Sequence, residues 1–304
     1  MRAGLTVRLA AGLVAPGPGV LVELELFAVA LAREAGRLIV EERPEDLGVS
    51  NTKSSATDVV TVMDQRAQDL LRARIQAARP QDGFLGEEEG GATARSEITW
   101  VVDPIDGTVN YLYGIPAYAV SVAAVVGDPS TPGAWAPVAG AVVNPVTGEL
   151  YRARLGGGAW LESGHLQRRL EVANPPADLA QALAGTGFGY NAERRAWQTR
   201  VLVEVIARVR DIRRFGSAAL DICAVAAGTL DCYFERGLNP WDLAAGWLVL
   251  TEAGGVFTGL DGAPPAGPMV VGAAPALHAQ LEPVLREAAA RAGEDPTTLT
   301  QAAL

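Results

Sequence analysis

Cysteine and histidine are scarce in this chain, with two of each in 304 residues. Two histidines, His165 and His278, are too few for an imidazole-built zinc site or a histidine-based triad, so any metal is expected to be bound by oxygen. The cysteines, Cys223 and Cys232, fall in segments that read as a helix and a strand. They are expected to be buried thiols in a reducing cytoplasm rather than a disulfide. No apolar run reaches the roughly 18 to 20 residues that a membrane span needs, because charge or a Pro/Gly cluster interrupts each one. Positive charge is also in short supply: 25 Lys+Arg against 35 Asp+Glu give a formal charge of −10, the wrong sign for general nucleic-acid binding. Neither a nucleic acid nor a membrane is an expected partner. The basic pairs Arg168-Arg169 and Arg194-Arg195 read as solvated surface, and Arg213-Arg214 as surface or site rim.

What remains is an apolar, Ala- and Gly-rich chain, 49% hydrophobic and 20% charged, able to bury a sizeable core as one two-part unit. Residues 1–20, interrupted by Pro16-Gly17-Pro18-Gly19, lack the long apolar stretch of a signal peptide and read as a flexible extension. Residues 21–182 read as an α+β part. In it, an amphipathic helix runs from Leu21 to Glu42, and a polar loop holding Lys53 leads to a second helix from Gln65 to about Ala78 with Asp64 as its N-cap. Between Tyr118 and Trp160, short β-rich segments with Gly and Pro between them predict an antiparallel meander. Residues 183–291 alternate between helix and strand and are expected to close the site, with a frayed tail over 292–304.

Chemistry concentrates in Asp103-Pro104-Ile105-Asp106-Gly107-Thr108-Val109-Asn110, which follows the apolar run Ile98-Thr99-Trp100-Val101-Val102. Two carboxylates separated by two residues, with the Ile105 carbonyl between them, can converge on hard cations and suit Mg²⁺. Gly107-Thr108 then offers backbone N–H groups and a hydroxyl at a helix start, where an anion is favoured. Cations would neutralise the carboxylates so that a phosphate could approach. Taken alone, Asp64 reads as a helix cap, Lys53 as a solvated lysine, and Glu87-Glu88-Glu89 as a solvated turn.

Together, the octet, the Gly86-Glu87-Glu88 turn upstream and Trp241-Asp242-Leu243-Ala244-Ala245-Gly246 downstream resemble the pattern of the inositol monophosphatase family of Mg²⁺-dependent, lithium-sensitive phosphatases. The resemblance spans about Leu21 to Ala290. It implies an α/β fold, a five-layered αβαβα sandwich, commonly assembled as a homodimer. It further implies that Glu87, Asp103, the Ile105 carbonyl, Asp106 and Asp242 hold two or three Mg²⁺ ions. Glu88 remains the alternative to Glu87, which is favoured by its place directly after Gly86. Glu87, Thr108 and Asp64 resemble the group that positions an attacking water, and Lys53 a lysine near the phosphate. Gly107 and Thr108 would meet the phosphate, while Ser217 and Ala218, with Glu235, Asp106 and Asp242, would hold sugar hydroxyls. The implied reaction is direct hydrolysis of a sugar-alcohol phosphate, myo-inositol 1-phosphate first, by a metal-activated water. Fructose 1,6-bisphosphate and histidinol phosphate are the alternative substrates within the family, and a non-catalytic regulatory dimer is the alternative from another class. Arg213, Arg214 and Arg236 read as surface ion pairs or as a positive rim for a second phosphate.

Overall fold

The computed structural model describes residues 12–52, 59–88, 91–265 and 268–295. Helix α1 (Pro18–Glu41) opens with proline, whose missing N–H is no loss in a first turn, and buries Leu24, Ala28, Leu31, Ala35 and Ile39 along one stripe. Two short antiparallel strands, β1 (Asn51–Thr52) and β2 (Val59–Val60), lead into α2 (Val62–Ala78). The N-cap of α2 is Thr61 and not Asp64, a correction to the sequence reading: Asp64 is the third helical residue, and its carboxylate reaches back to Thr61 in a capping box.

A seven-stranded sheet follows, with its strands in chain order. They are β3 (Gly83–Gly86), β4 (Ile98–Asp106), then, after the short helix α3 (Thr108–Tyr113), β5 (Ala119–Gly127), β6 (Trp135–Val143), β7 (Leu150–Arg154), β8 (Gly158–Ser163) and β9 (Leu166–Leu170). β3 lies parallel to β4 and every later pair is antiparallel. The predicted meander is present and extends further than expected, because β9 is mostly exposed and lacks the apolar alternation that marks a strand.

The second sheet is assembled from β10 (Leu183–Thr186), β11 (Asp211–Arg213), β12 (Cys232–Arg236), β13 (Val256–Thr258) and β14 (Met269–Ala273), in the order β11-β10-β12-β14-β13. Helices α4 (Ala192–Ile206), α5 (Ala218–Ala227), α6 (Pro240–Glu252) and α7 (Pro275–Ala292) accompany it. α1 and α2 cover one face of the large sheet, α5 and α6 fill the space between the sheets, and α4 and α7 cover the outer face of the small one. The layers are therefore α, β, α, β, α, as expected.

Strand alternation divides the cores. On β4, Trp100 and Val102 face α1 and α2 while Val101 faces the middle layer; on β12, Cys232 and Phe234 face outward while Tyr233 faces the middle layer. Strands buried on both faces read as continuous apolar runs, which is why the octet is preceded by one. Both cysteines are buried free thiols. Among the described residues, no helix is long and apolar enough to cross a membrane.

Arg194 and Arg195 are not the solvated pair expected. Arg194 is largely covered and lies 3.7 Å from Asp295, and Arg195 donates to the carbonyls of Gly189 and Tyr190 at 3.2 and 2.7 Å. The loop before α4 folds back over both. Arg213 and Arg236 do form ion pairs, with Asp211 and Asp295 respectively.

One buried charge ties α1 to the large sheet. Glu25 is 2% exposed and accepts from Arg152 and Arg154 on β7. Removing it would take from Arg154 this partner and leave Arg152 with Glu162 alone, so Glu25→Ala should cost about 2 kcal/mol. Urea unfolding of the variant would read this, and a loss below about 0.5 kcal/mol, the size of an exposed pair, would contradict it.

Candidate active site

Asp103 and Asp106 lie three positions apart on β4, and in a regular strand their side chains would face opposite sides. They converge because the ladder to β5 shifts register between them. Such a bulge re-aims side chains and tolerates Pro104, which has no N–H to pair. Asp242 joins them from the first turn of α6, and one oxygen from each of the three carboxylates lies within 4.8 Å of the others. Its other restraint is a 2.6 Å bond from the Asn239 N–H, part of a capping box.

The parallel register of β3 on β4, Gly86 beside Val102, brings Glu87 next to Asp103, where the two carboxyls share a hydrogen bond. The turn carrying Glu87 is braced by Gln68 of α2, which accepts from the Glu88 N–H and donates to the Glu88 carbonyl, both at 2.9 Å. A Cβ on Gly86 would lie 2.0 Å from the Gln68 Oε1, so this brace requires glycine.

Asp106 is held from the other half of the molecule. Its Oδ2 accepts from the Ser217 hydroxyl at 2.6 Å and the Ala219 N–H at 2.7 Å, and its Oδ1 from the Ala218 N–H at 3.3 Å. These donors are the N-cap and first turn of α5, the electropositive end of that helix. Ser217 and Ala218 thus sit at the site, turned onto Asp106. Gly107 follows with φ 96°, a left-handed conformation that favours glycine, and a Cβ there would lie 2.9 Å from the Gly216 carbonyl. Asn110 donates to the carbonyls of Ala117 and Phe215, both at 2.7 Å, tying the octet to the loop before Ser217.

The Thr108 hydroxyl lies 3.1 Å from both the Asp64 Oδ1 and the Ile105 carbonyl. Asp64 Oδ2 is taken by the Thr61 N–H and hydroxyl at 2.8 and 2.6 Å. Glu235, at the end of β12, accepts a hydrogen bond from Tyr233. Lys53 lies outside the described residues.

The electrostatics of this cluster favour a cation. Burial, then repulsion from Glu87, Asp106 and Asp242, pushes Asp103 well above the carboxylate range. Burial, then Glu87 and Asp106, does the same to Asp242. Burial also raises Asp106, but the Ser217 hydroxyl and the Ala219 N–H hold it to about 6. Asp64 rises to about 7, chiefly through burial, against the opposing bonds from Thr61. Every donor here, the Ile105 carbonyl included, is an oxygen, and a hard divalent cation would offset their crowding. The residues present fit such an ion.

Sequence reasoning did not single out Thr61, Gln68, Tyr233 or Asp221. The spacing of Thr61 to Asp64 carries a capping-box signal. Gln68 sits one turn beyond Asp64 on the buried face of α2, a polar residue where an apolar one is the norm. Asp221 is buried in α5 and raised to about 9 by burial and then by Glu235.

A layered α/β fold with an acidic, oxygen-only centre defines a class of metal-dependent hydrolases. Comparison with known proteins narrows it, since the family model described as the inositol monophosphatase family matches residues 21–294. An inositol-1-monophosphatase SuhB of Mycobacterium tuberculosis is 45% identical over 273 residues, 85% of this chain and 91% of its own. A Nus factor SuhB of Xylella fastidiosa is 37% identical over 237 residues, 77% of this chain and 81% of its own. The solved structure of Mycobacterium tuberculosis SuhB matches with a TM-score of 0.74 at 42% identity, covering 88% of this chain and 97% of that one. The chain belongs to the inositol monophosphatase family, whose members are metal-dependent phosphoric monoester hydrolases.

The raised carboxyls set a direction for stability. A carboxyl whose folded pKa exceeds its unfolded one stabilises the fold fully below about pH 4, and that contribution is lost as pH rises through the folded value. For Asp106 and Asp64 those values are about 6 and about 7. The rise in Tm on adding a divalent cation to chelator-treated protein should therefore grow from about pH 5 to about pH 8. A gain that is flat across this range would contradict the cluster's role as the cation site.

Proposed function

We propose that this enzyme hydrolyses sugar-alcohol monophosphates in a Mg²⁺-dependent reaction, with myo-inositol 1-phosphate as the preferred substrate. The observation that carries the reading is the all-oxygen convergence of the buried Asp103 and Asp106 with the half-buried Asp242, and Glu87 beside them. The printed name of the Mycobacterium tuberculosis relative supports the substrate. Glu87, Asp103, the Ile105 carbonyl, Asp106 and Asp242 would hold two or three Mg²⁺ ions, which would supply polarisation of the attacking water and screening of the phosphate charge.

The chain's own groups do the rest. Thr108 donates its proton to Asp64, which leaves a lone pair of its hydroxyl oxygen to accept from the attacking water. As oxygen bonds to phosphorus, the water's proton passes to Thr108 and that of Thr108 to Asp64; the phosphorus–alcohol bond breaks, and the alcohol oxygen takes a proton from solvent. A base near 7 suits this work at neutral pH. The N–H groups of Gly107 and Thr108 meet the phosphate, and Lys53 takes the part that the family resemblance assigns to a lysine there. Glu235, Asp106 and Asp242 accept hydrogen bonds from the alcohol's hydroxyls, with Ser217 and Ala218 acting through Asp106. Inhibition by lithium, assembly as a homodimer and a cytoplasmic setting belong to the same reading.

Phosphate release from a panel of inositol 1-phosphate, fructose 1,6-bisphosphate and histidinol phosphate tests it. The highest kcat/KM is expected for inositol 1-phosphate with Mg²⁺, and Asp103→Asn should lower it more than about 100-fold, beyond what loss of a supporting group costs. Thr108→Ala should lower kcat about 100-fold or more with Mg²⁺ affinity nearly unchanged. An inactive parent would favour the regulatory reading that the name Nus factor suggests, and an unaffected Asp103→Asn variant would remove Asp103 from the site.

A further inference from the structure

Beside the acidic centre, β10 and β12 run parallel with Gly185 opposite Tyr233 and Thr186 opposite Phe234, which brings Gly187 alongside Glu235. A Cβ on Gly187 would lie 2.0 to 2.3 Å from the Glu235 carboxylate atoms, so any other residue there would occupy the place the carboxylate fills. The neighbour two positions earlier on the same face of β12 is Tyr233, whose ring is fully buried in the middle layer and whose hydroxyl donates to the Glu235 Oε2. Burial holds that phenol well above its ordinary pKa, so it stays a donor at any working pH. The Glu235 Oε2 is committed to Tyr233, while among the described residues no hydrogen bond reaches Oε1, and Arg214 is the cation whose charge acts on this carboxylate.

We infer that Tyr233 and Gly187 are positioning residues that fix the Glu235 carboxylate in one orientation, with Oε1 presented to a hydroxyl of the substrate's alcohol, and so set selectivity for esters of polyhydroxylated alcohols over esters whose alcohol has no further hydroxyl. The inference rests on the reading of Glu235 as an acceptor for those hydroxyls. A site built to hydrogen-bond a substrate hydroxyl discriminates strongly against esters lacking one, and a carboxylate free to rotate loses part of that discrimination. Among the described residues, the Tyr233 hydroxyl makes no hydrogen bond to the acids around Asp103; it acts through Glu235.

The test compares inositol 1-phosphate with phenyl phosphate, an ester whose alcohol has no further hydroxyl, using the full chain with Mg²⁺. Tyr233→Phe should raise KM for inositol 1-phosphate about tenfold with kcat within about twofold, and lower the selectivity ratio of the two kcat/KM values by the same factor. Gly187→Ala, which displaces the carboxylate by a different route, should lower the ratio likewise. In the double variant Tyr233→Phe/Glu235→Gln the ratio should match Glu235→Gln alone, because two changes acting through one group do not add. Equal losses on both esters, an unchanged ratio in Tyr233→Phe, or additive losses in the double variant would overturn the inference. If the parent shows the preference and Glu235→Gln leaves it intact, the reading of Glu235 falls, and the inference with it. If Glu235→Gln abolishes the preference while Tyr233→Phe and Gly187→Ala keep it, only the positioning role falls.

Discussion

The carboxylate of Asp106 is where the two halves of this molecule are joined at the site. It ends a strand of the large sheet and receives three donors from the start of α5, which packs against the small sheet. A buried carboxylate satisfied by a helix N-terminus is well anchored, since hydrogen bonds and the helix dipole both favour its charged form. The geometry of the rest follows from that anchor. It fixes β4 against the middle helical layer, so that Asp242, from the first turn of α6 in the same layer, lands within reach of Asp103 and Asp106.

The cost of the arrangement is electrostatic. Asp103, buried, and Asp242, half-buried, lie close to one another and to Glu87, and desolvation and repulsion act in the same direction on both. Such a cluster is unfavourable as a set of bare anions and favourable around a divalent cation. Asp64 lies one step outside it, bonded through Thr108 to the Ile105 carbonyl, and the same burial leaves it near neutrality, the range in which a carboxylate serves as a base. One physical circumstance, acids in a dry interior, thus produces both a cluster able to hold a cation and a carboxyl poised near neutrality.

The convergence of acids was legible in the sequence because the carboxyls come in short local motifs: the octet after an apolar run, the Gly-Glu turn, and the Trp-Asp start of a helix. The layered fold was legible from the same resemblance, and the strands from their continuous apolar runs. Less visible were residues whose roles exist only after folding. Asp64 looks like a cap in sequence, and only the position of Thr61 shows that it belongs to the third helical place. Gln68 and Gly86 are far apart in the chain and meaningful only as a pair. Gly187 and Tyr233 become neighbours of Glu235 through strand register, which no local pattern encodes. Arg194 resembled surface because a charged side chain normally is; its partner Asp295 comes from about a hundred residues later.

The central claim is that this carboxylate cluster is strained by its own charge until a cation binds. Calorimetric titration with Mg²⁺ at pH 6, repeated in buffers of different ionisation enthalpy, measures the protons released on binding. Raised carboxyls must give up protons to become ligands, so release should be clear at pH 6 and fade by about pH 9. Binding with no proton release at pH 6 would mean that the acids are already ionised and unstrained, and would contradict the account.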